Sequence, residues 1–181
     1  MAGRVYSVRR MTPSSQDFAR QFPDLASHCH DEDLAAMLSR MALLRLQPGE
    51  HLLEEGAVSD RVYFLLDGTL EVTLAVTSGA ATAGTFGPGA VLGEVALLDP
   101  GPATATVTAT APATLLGLGR DALDGLRADH PRAVSSILHA LAAVLSQRIR
   151  RATDWLAELR GLPAQPPPTL LGALRALIGA R

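Results

Sequence analysis

Arg61-Val62-Tyr63-Phe64-Leu65-Leu66-Asp67-Gly68-Thr69-Leu70-Glu71-Val72-Thr73-Leu74-Ala75-Val76 is the stretch on which the fold turns. Two β-prone runs flank Asp67-Gly68, a pair that closes tight hairpins because the glycine tolerates a positive φ. In the second run Leu70, Val72, Leu74 and Val76 alternate with Thr69, Glu71, Thr73 and Ala75. A period of two predicts a half-buried strand with one apolar face.

Working outward, the same rhythm of short runs and turns extends in both directions. Pro48-Gly49 follows 43–46, and Glu55-Gly56 follows 51–53. Ser78-Gly79, Pro88-Gly89, Pro100-Gly101 and Ala111-Pro112 punctuate the stretch up to Arg120. Regularly spaced short strands with such turns predict a sandwich or roll.

Helical periodicity brackets this region. A short helix over 15–22 stops before Pro23, and a second over 30–40 carries acids at its front and Arg40 at its back. Leu34, Met37, Leu38 and Met41 form its apolar face. After Arg120 a short helix over 121–127 is broken at His130-Pro131, and Pro131 suits the first turn of the next helix. Val134, Leu138, Leu141, Leu145, Ile149, Ala152, Leu156 and Leu159 then predict a long amphipathic helix ending at Gly161. Residues 161–168 read as a stiff proline-rich linker. Thr169 caps a last short helix with Leu170, Leu171, Leu174, Leu177 and Ile178 on one face.

Composition excludes several classes. Hydrophobic residues make up 48% of the 181, enough for a core. No apolar run suits a bilayer span, and no apolar stretch backs the first ten residues as a secretory signal would, so a soluble cytoplasmic protein is expected. Cys29 is the only cysteine, which rules out an internal disulfide. All 16 cations are arginines, a usage expected of a GC-rich bacterial genome. The net charge of −2 does not point to nucleic acid. Residues 62–119 contain no cation at all.

The order of helix, roll, short helix and long helix resembles the cyclic-nucleotide-binding domain family. The resemblance covers about 20–155 and rests on Leu46-Gln47-Pro48-Gly49-Glu50, Glu55-Gly56, Ser59-Asp60 and Val62 to Gly68. It continues through Phe86-Gly87-Pro88-Gly89 and Leu92-Gly93-Glu94-Val95-Ala96-Leu97-Leu98. It implies an α+β fold: a cyclic-nucleotide-binding-type β-roll, a cupin-like jelly roll, flanked by an N-terminal helix and C-terminal helices. The chain then divides into an N-terminal arm (1–19), a helix plus β-roll domain (20–130), a long helix (131–160), and a linker with a short amphipathic helix (161–181).

The resemblance makes 93–98 the core of a phosphate-binding cassette. Gly93, Glu94, Val95, Ala96, Ala103 and Thr104 are its implied ligand-binding positions. In this family the cassette glutamate bonds the ribose 2′-hydroxyl, and Glu94 matches it. The family then places Pro-Arg before a small residue and Ala, and that arginine neutralises the phosphate. Here the text is Gly101-Pro102-Ala103-Thr104-Ala105, so Ala103 stands at the arginine position. Two readings of Glu94 stay open: a sugar ligand, or a carboxylate bonding the backbone of the cassette helix. Thr104 is either a ligand donor or an ordinary strand residue.

His28, Cys29 and His30 are adjacent, but three donors on consecutive residues do not converge on one ion, so an exposed turn and no metal are expected. No P-loop, hydrolase elbow or dinucleotide fingerprint is present, and no catalytic residue is expected. Relatives pair the long helix with its twin, so a homodimer through Leu138, Leu141, Leu145 and Ile149 is expected. A transcription factor needs a basic reading domain after that helix, and only Arg160, Arg175 and Arg181 follow Asp154 as cations. That class is set aside unless the chain is a fragment. Two readings remain: a non-enzymatic regulatory or scaffolding module with a degenerate or retuned pocket, acting through a protein partner, and a cyclic-nucleotide sensor with an atypical cassette; the C-terminal tail either folds back on its own domain or its twin, or docks its leucines into the partner's groove. No cofactor is expected in the first.

Overall fold

A computed structural model describes residues 13–27, 29–77 and 79–159. The chain begins with α1 (Ser15–Gln21), α2 (Pro23–Ala26) and α3 (Asp31–Arg40). Ser14 caps α1 by accepting the Asp17 N–H at 3.1 Å, and Pro23 occupies the first turn of α2. The strands follow: β1 (Ala42–Leu46), β2 (His51–Leu53), β3 (Val58–Ser59), β4 (Arg61–Asp67), β5 (Leu70–Val76), β6 (Gly79–Phe86) and β7 (Val91–Leu92). A short helix, α4 (Glu94–Leu98), interrupts them before β8 (Gly101–Pro102), β9 (Thr106–Ala109) and β10 (Ala113–Gly119). Two helices close the series, α5 (Arg120–Asp129) and α6 (Pro131–Leu159).

The strands form two four-stranded antiparallel sheets, ordered β1-β10-β4-β7 and β2-β9-β5-β6, with β3 and β8 as a separate ribbon. Leu44, Leu46, Tyr63, Leu65, Leu70, Leu92, Val107 and Leu115 fill the interior between the sheets. The other face of the first sheet carries a second core, where Leu43, Val62, Phe64, Leu116 and Leu118 meet the helices. Phe64 meets Phe18 and Phe22 edge to face, with ring centroids 5.7 and 5.4 Å away. β4 is therefore buried on both faces, as a continuous apolar run allows.

Several boundaries depart from the sequence expectation. The folded unit starts ahead of residue 20, because Phe18 is buried in the helical core. The apolar face of β5 is covered only at its beginning: Leu70 is buried, but Leu74 and Val76 are 40% and 44% exposed, since the hairpin runs out beyond the roll. Thr104 is not a strand residue; it lies exposed in the bend between β8 and β9. Cys29 is half-buried against the helical core rather than exposed.

α6 starts at Pro131 as expected, and Val134, Ile137, Ala140 and Leu141 pack into the helical core. The boundary between the chain's two structural units falls inside this helix, after Leu141. Leu141 is only 1% exposed, so it serves the domain's own core and is not part of an open seam. Leu138 is also packed against that core. Ile149, by contrast, is 65% exposed. The tail positions Leu170, Leu171, Leu174, Leu177 and Ile178 lie outside the described residues, as does His28.

Gly68 makes the β4–β5 turn at φ +95°. A Cβ there would collide with the Pro112 carbonyl oxygen and lie 2.5 Å from Ala113 Cα. Gly68→Ala is therefore expected to cost more than about 3 kcal/mol, because strained φ and backbone overlap add. Denaturant unfolding checks this; a loss under 1 kcal/mol, of the size seen for an ordinary turn glycine, would refute the reading.

Candidate functional site

The expected cassette is built at the end of β7. Gly93 turns the chain at φ +76° and starts α4. Only glycine fits there, since a Cβ would strike the Arg61 carbonyl oxygen and approach Tyr63 Cδ2 at 3.4 Å. The helix alternates: Glu94, Ala96 and Leu97 face inward, while Val95 and Leu98 reach solvent. Leu97 anchors α4 to the helical core.

Glu94 is 2% exposed, so its carboxylate is held inside the protein rather than presented to bulk water. It is not without a partner. Of the implied positions, Gly93, Glu94, Val95 and Ala96 form one continuous turn and helix. Ala103 and Thr104 come from the far side of β8.

Ala103 is held by its backbone. Its N–H donates to Ala57 O at 2.8 Å, and its carbonyl accepts the Gly56 N–H at 2.8 Å. Together with Pro102 opposite Val58 and Gly101 opposite Ser59, these bonds zip the exit of the cassette to the β3 region. The geometry at position 103 thus depends on main-chain groups, and an alanine satisfies it as well as an arginine does.

Arg120 is a residue that sequence reasoning did not assign. Its Nη2 donates to Leu97 O at 2.6 Å and to Leu98 O at 2.9 Å, the last carbonyls of α4. Its own N–H donates to Asp60 O at 3.1 Å. A cation at a helix C-terminus complements the exposed carbonyls and the dipole. This guanidinium therefore sits at the opposite end of α4 from Gly93. Its Nε is buried with no hydrogen-bond partner among the described residues. No local signal in the sequence points to this contact, because the partners lie 22 and 23 residues away.

Glu55 and Thr106 brace the neighbouring sheet. The Glu55 N–H donates to Thr106 Oγ1 at 3.0 Å, and Glu55 Oε2 accepts the Ala75 N–H at 2.8 Å. His51, in β2, shares a 2.9 Å hydrogen bond with Thr108 Oγ1. Among the described residues no three His, Cys, Asp or Glu side chains are grouped to hold a metal ion. Among them also, no helix is long and apolar enough to cross a membrane.

Known proteins share this fold. The family model described as cyclic nucleotide-binding domain matches residues 43–130. A curated relative, the CRP-like cAMP-activated global transcriptional regulator of Mycobacterium tuberculosis, is 30% identical over 127 residues, covering 70% of this chain and 55% of its own length. The chain thus spans about half of that relative. The solved N-terminal domain of a transcriptional regulator from Streptomyces coelicolor is 31% identical, with a TM-score of 0.62 over 69% of this chain and 90% of that one. A solved cyclic nucleotide-binding domain from Methylobacillus flagellatus is 25% identical, with a TM-score of 0.72 over 80% of this chain and 85% of that one. Through its roll and cassette, this chain belongs to the cyclic nucleotide-binding domain family.

Proposed function

We propose that the chain is a cytoplasmic, non-enzymatic regulatory or scaffolding module whose cyclic-nucleotide-type pocket has been retuned, and that it acts by holding a protein partner. The observation that carries this reading is Ala103. The cassette keeps Gly93 at positive φ and Glu94 in its first turn, yet the position that supplies the family's phosphate cation holds a methyl group. No residue from 62 to 119 is cationic. The Arg120 guanidinium is committed to the C-terminal carbonyls of α4. A phosphate drawn from water into such a site lacks a charge partner, and a buried carboxylate nearby adds repulsion.

A second reading keeps the pocket as an atypical cyclic-nucleotide sensor. It is favoured by the intact Gly93-Glu94 turn and by the name of the Mycobacterium tuberculosis relative, which is cAMP-activated. Calorimetry separates the two. A lost charge-assisted hydrogen bond removes about 1.5–3 kcal/mol, roughly a ten- to hundredfold loss of affinity. No saturable binding of cyclic AMP or cyclic GMP is therefore expected below about 100 µM, and Ala103→Arg is expected to restore part of it. Micromolar binding by the unaltered chain would favour the sensor.

The partner surfaces of this proposal lie beyond the roll. Leu145 and Ile149 continue the α6 stripe past the last core residue and are proposed as a seam for a second copy. Light scattering is expected to give a dimer at micromolar concentrations, reduced to a monomer by Leu145→Glu, because a charge in a helix seam has no partner. A strict monomer would refute the seam.

For the tail, the apolar face of Leu170, Leu171, Leu174, Leu177 and Ile178 is proposed as a docking peptide for another protein's groove. A segment this short gains stable helicity only on binding. Deleting 162–181 is expected to leave the melting temperature unchanged. A drop of several degrees would show instead that the tail packs on its own domain.

A further inference from the structure

The β5–β6 hairpin leaves the roll with a long edge of main chain that no described strand covers. β6 is the last strand of its sheet and, among the described residues, pairs only with β5. Proteins blunt such edges by keeping them short, by placing charge or proline on them, or by bulges. The other three sheet edges follow that rule: β1 carries the exposed Arg45, β2 has three residues and β7 has two. β6 has eight residues and holds neither a charged side chain nor a proline.

A bulge leaves Ala83 without an opposite residue, but it sits at the base of the hairpin. Beyond it the register is regular, from Thr73 opposite Thr82 to Val76 opposite Gly79. On the β5 side, β9 stops opposite Thr73, and Glu55 Oε2 then accepts the Ala75 N–H at 2.8 Å where a strand would have done so. The β6 side of the same end stays open. One face of this end is apolar and uncovered. Leu74 and Val76 are 40% and 44% exposed, and Ala81, directly opposite Leu74, shares their face.

An open edge accepts an extended strand, and charge selects which strand suits this one. Residues 41–119 hold eight acids against two arginines, so two such rolls repel one another over most of their surface. Residues 72–93 carry no charged side chain, and two hairpin ends meet there without like charges opposed. We propose that the end of the β5–β6 hairpin associates with that of a second copy of this chain, β6 antiparallel to β6. Side chains alternate across a strand, so the register must keep both apolar faces on one side. Ala81 opposite Ala81 about a two-fold axis does so, and it places Leu74, Val76 and Ala81 of both copies in one apolar strip. The contact is small, of the weak and transient class, and it acts where copies are already gathered at high local concentration. It involves neither the cassette nor the proposed α6 seam.

The full-length Leu145→Glu chain, with that seam disabled, isolates the hairpin contact. Sedimentation equilibrium is expected to give a monomer at about 10 µM and a growing dimer fraction by about 500 µM, as suits an interface below the standard size. Ala81→Lys in the same background opposes two cations across the two-fold, and is expected to stay monomeric at both concentrations with an unchanged melting temperature. A strict monomer at the higher concentration overturns the proposal, as does a dimer that Ala81→Lys leaves intact. Cysteine pairing gives a second reading with Leu145 retained. In a Cys29→Ser chain, Ala81→Cys is expected to form an intermolecular disulfide about tenfold faster than Val58→Cys, because directly opposed Cβ atoms lie near bridging distance. Val58 is 82% exposed on the β3 ribbon, so its rate reports random collision. Equal rates for the two cysteines would also sink the pairing.

Discussion

β4 is the constraint on which the rest depends. In an extended strand, neighbouring side chains leave on opposite faces. Val62 and Phe64 therefore enter the helical core, while Tyr63 and Leu65 enter the roll. A single strand thus belongs to both cores, and each large apolar side chain it buries contributes about 1.5–3 kcal/mol. The aromatic contacts of Phe64 with Phe18 and Phe22 fasten the N-terminal helices to the outer face of that strand. On its two edges it pairs with β10 and β7. The carbonyl of Arg61, at its start, leaves no room for a side chain at position 93, so β4 also dictates the turn that begins the cassette helix.

That arrangement separates the cassette's shape from its charge. Gly93 fits against β4 at one end of α4, and Arg120 holds the carbonyls at the other. Leu97 anchors the middle in the core, and backbone bonds at Ala103 close the exit. None of these contacts needs a side chain longer than alanine at position 103. The shape of the cassette is thus held by packing and main-chain hydrogen bonds at both of its ends.

The helical layer differs from the roll in carrying ion pairs between separate elements. Residues 62–119 carry no cation, and acids of the roll accept from neutral donors, Glu55 from the Ala75 N–H and Glu71 from the Thr82 hydroxyl, while Asp60 meets the neighbouring Arg61. In the helices, charged side chains from distant segments bridge neighbouring elements, as in Arg40 with Asp129 and His130 with Asp33.

Local chemistry determined the features that were legible in the sequence. Asp67-Gly68 closes a hairpin because the turn requires a positive φ, Pro131 opens α6 because it needs no N–H donor there, and Gly93-Glu94 marks the start of the cassette helix. The order of these signals is enough for the fold, since each acts within a few residues of chain. Tertiary structure alone decided what lies opposite each face. The period-two pattern of β5 groups Leu70 with Leu74 and Val76, but only the reach of the hairpin beyond the roll leaves the last two exposed. The stripe of α6 groups Leu141 with Ile149, yet one is in the core and the other in solvent. Arg120 at the end of α4 and His130 beside Asp33 join residues 23 and 97 positions apart at the furthest. Periodicity records which side chains share a surface; the partner of that surface is set by chain closure over such distances, and no local pattern encodes it.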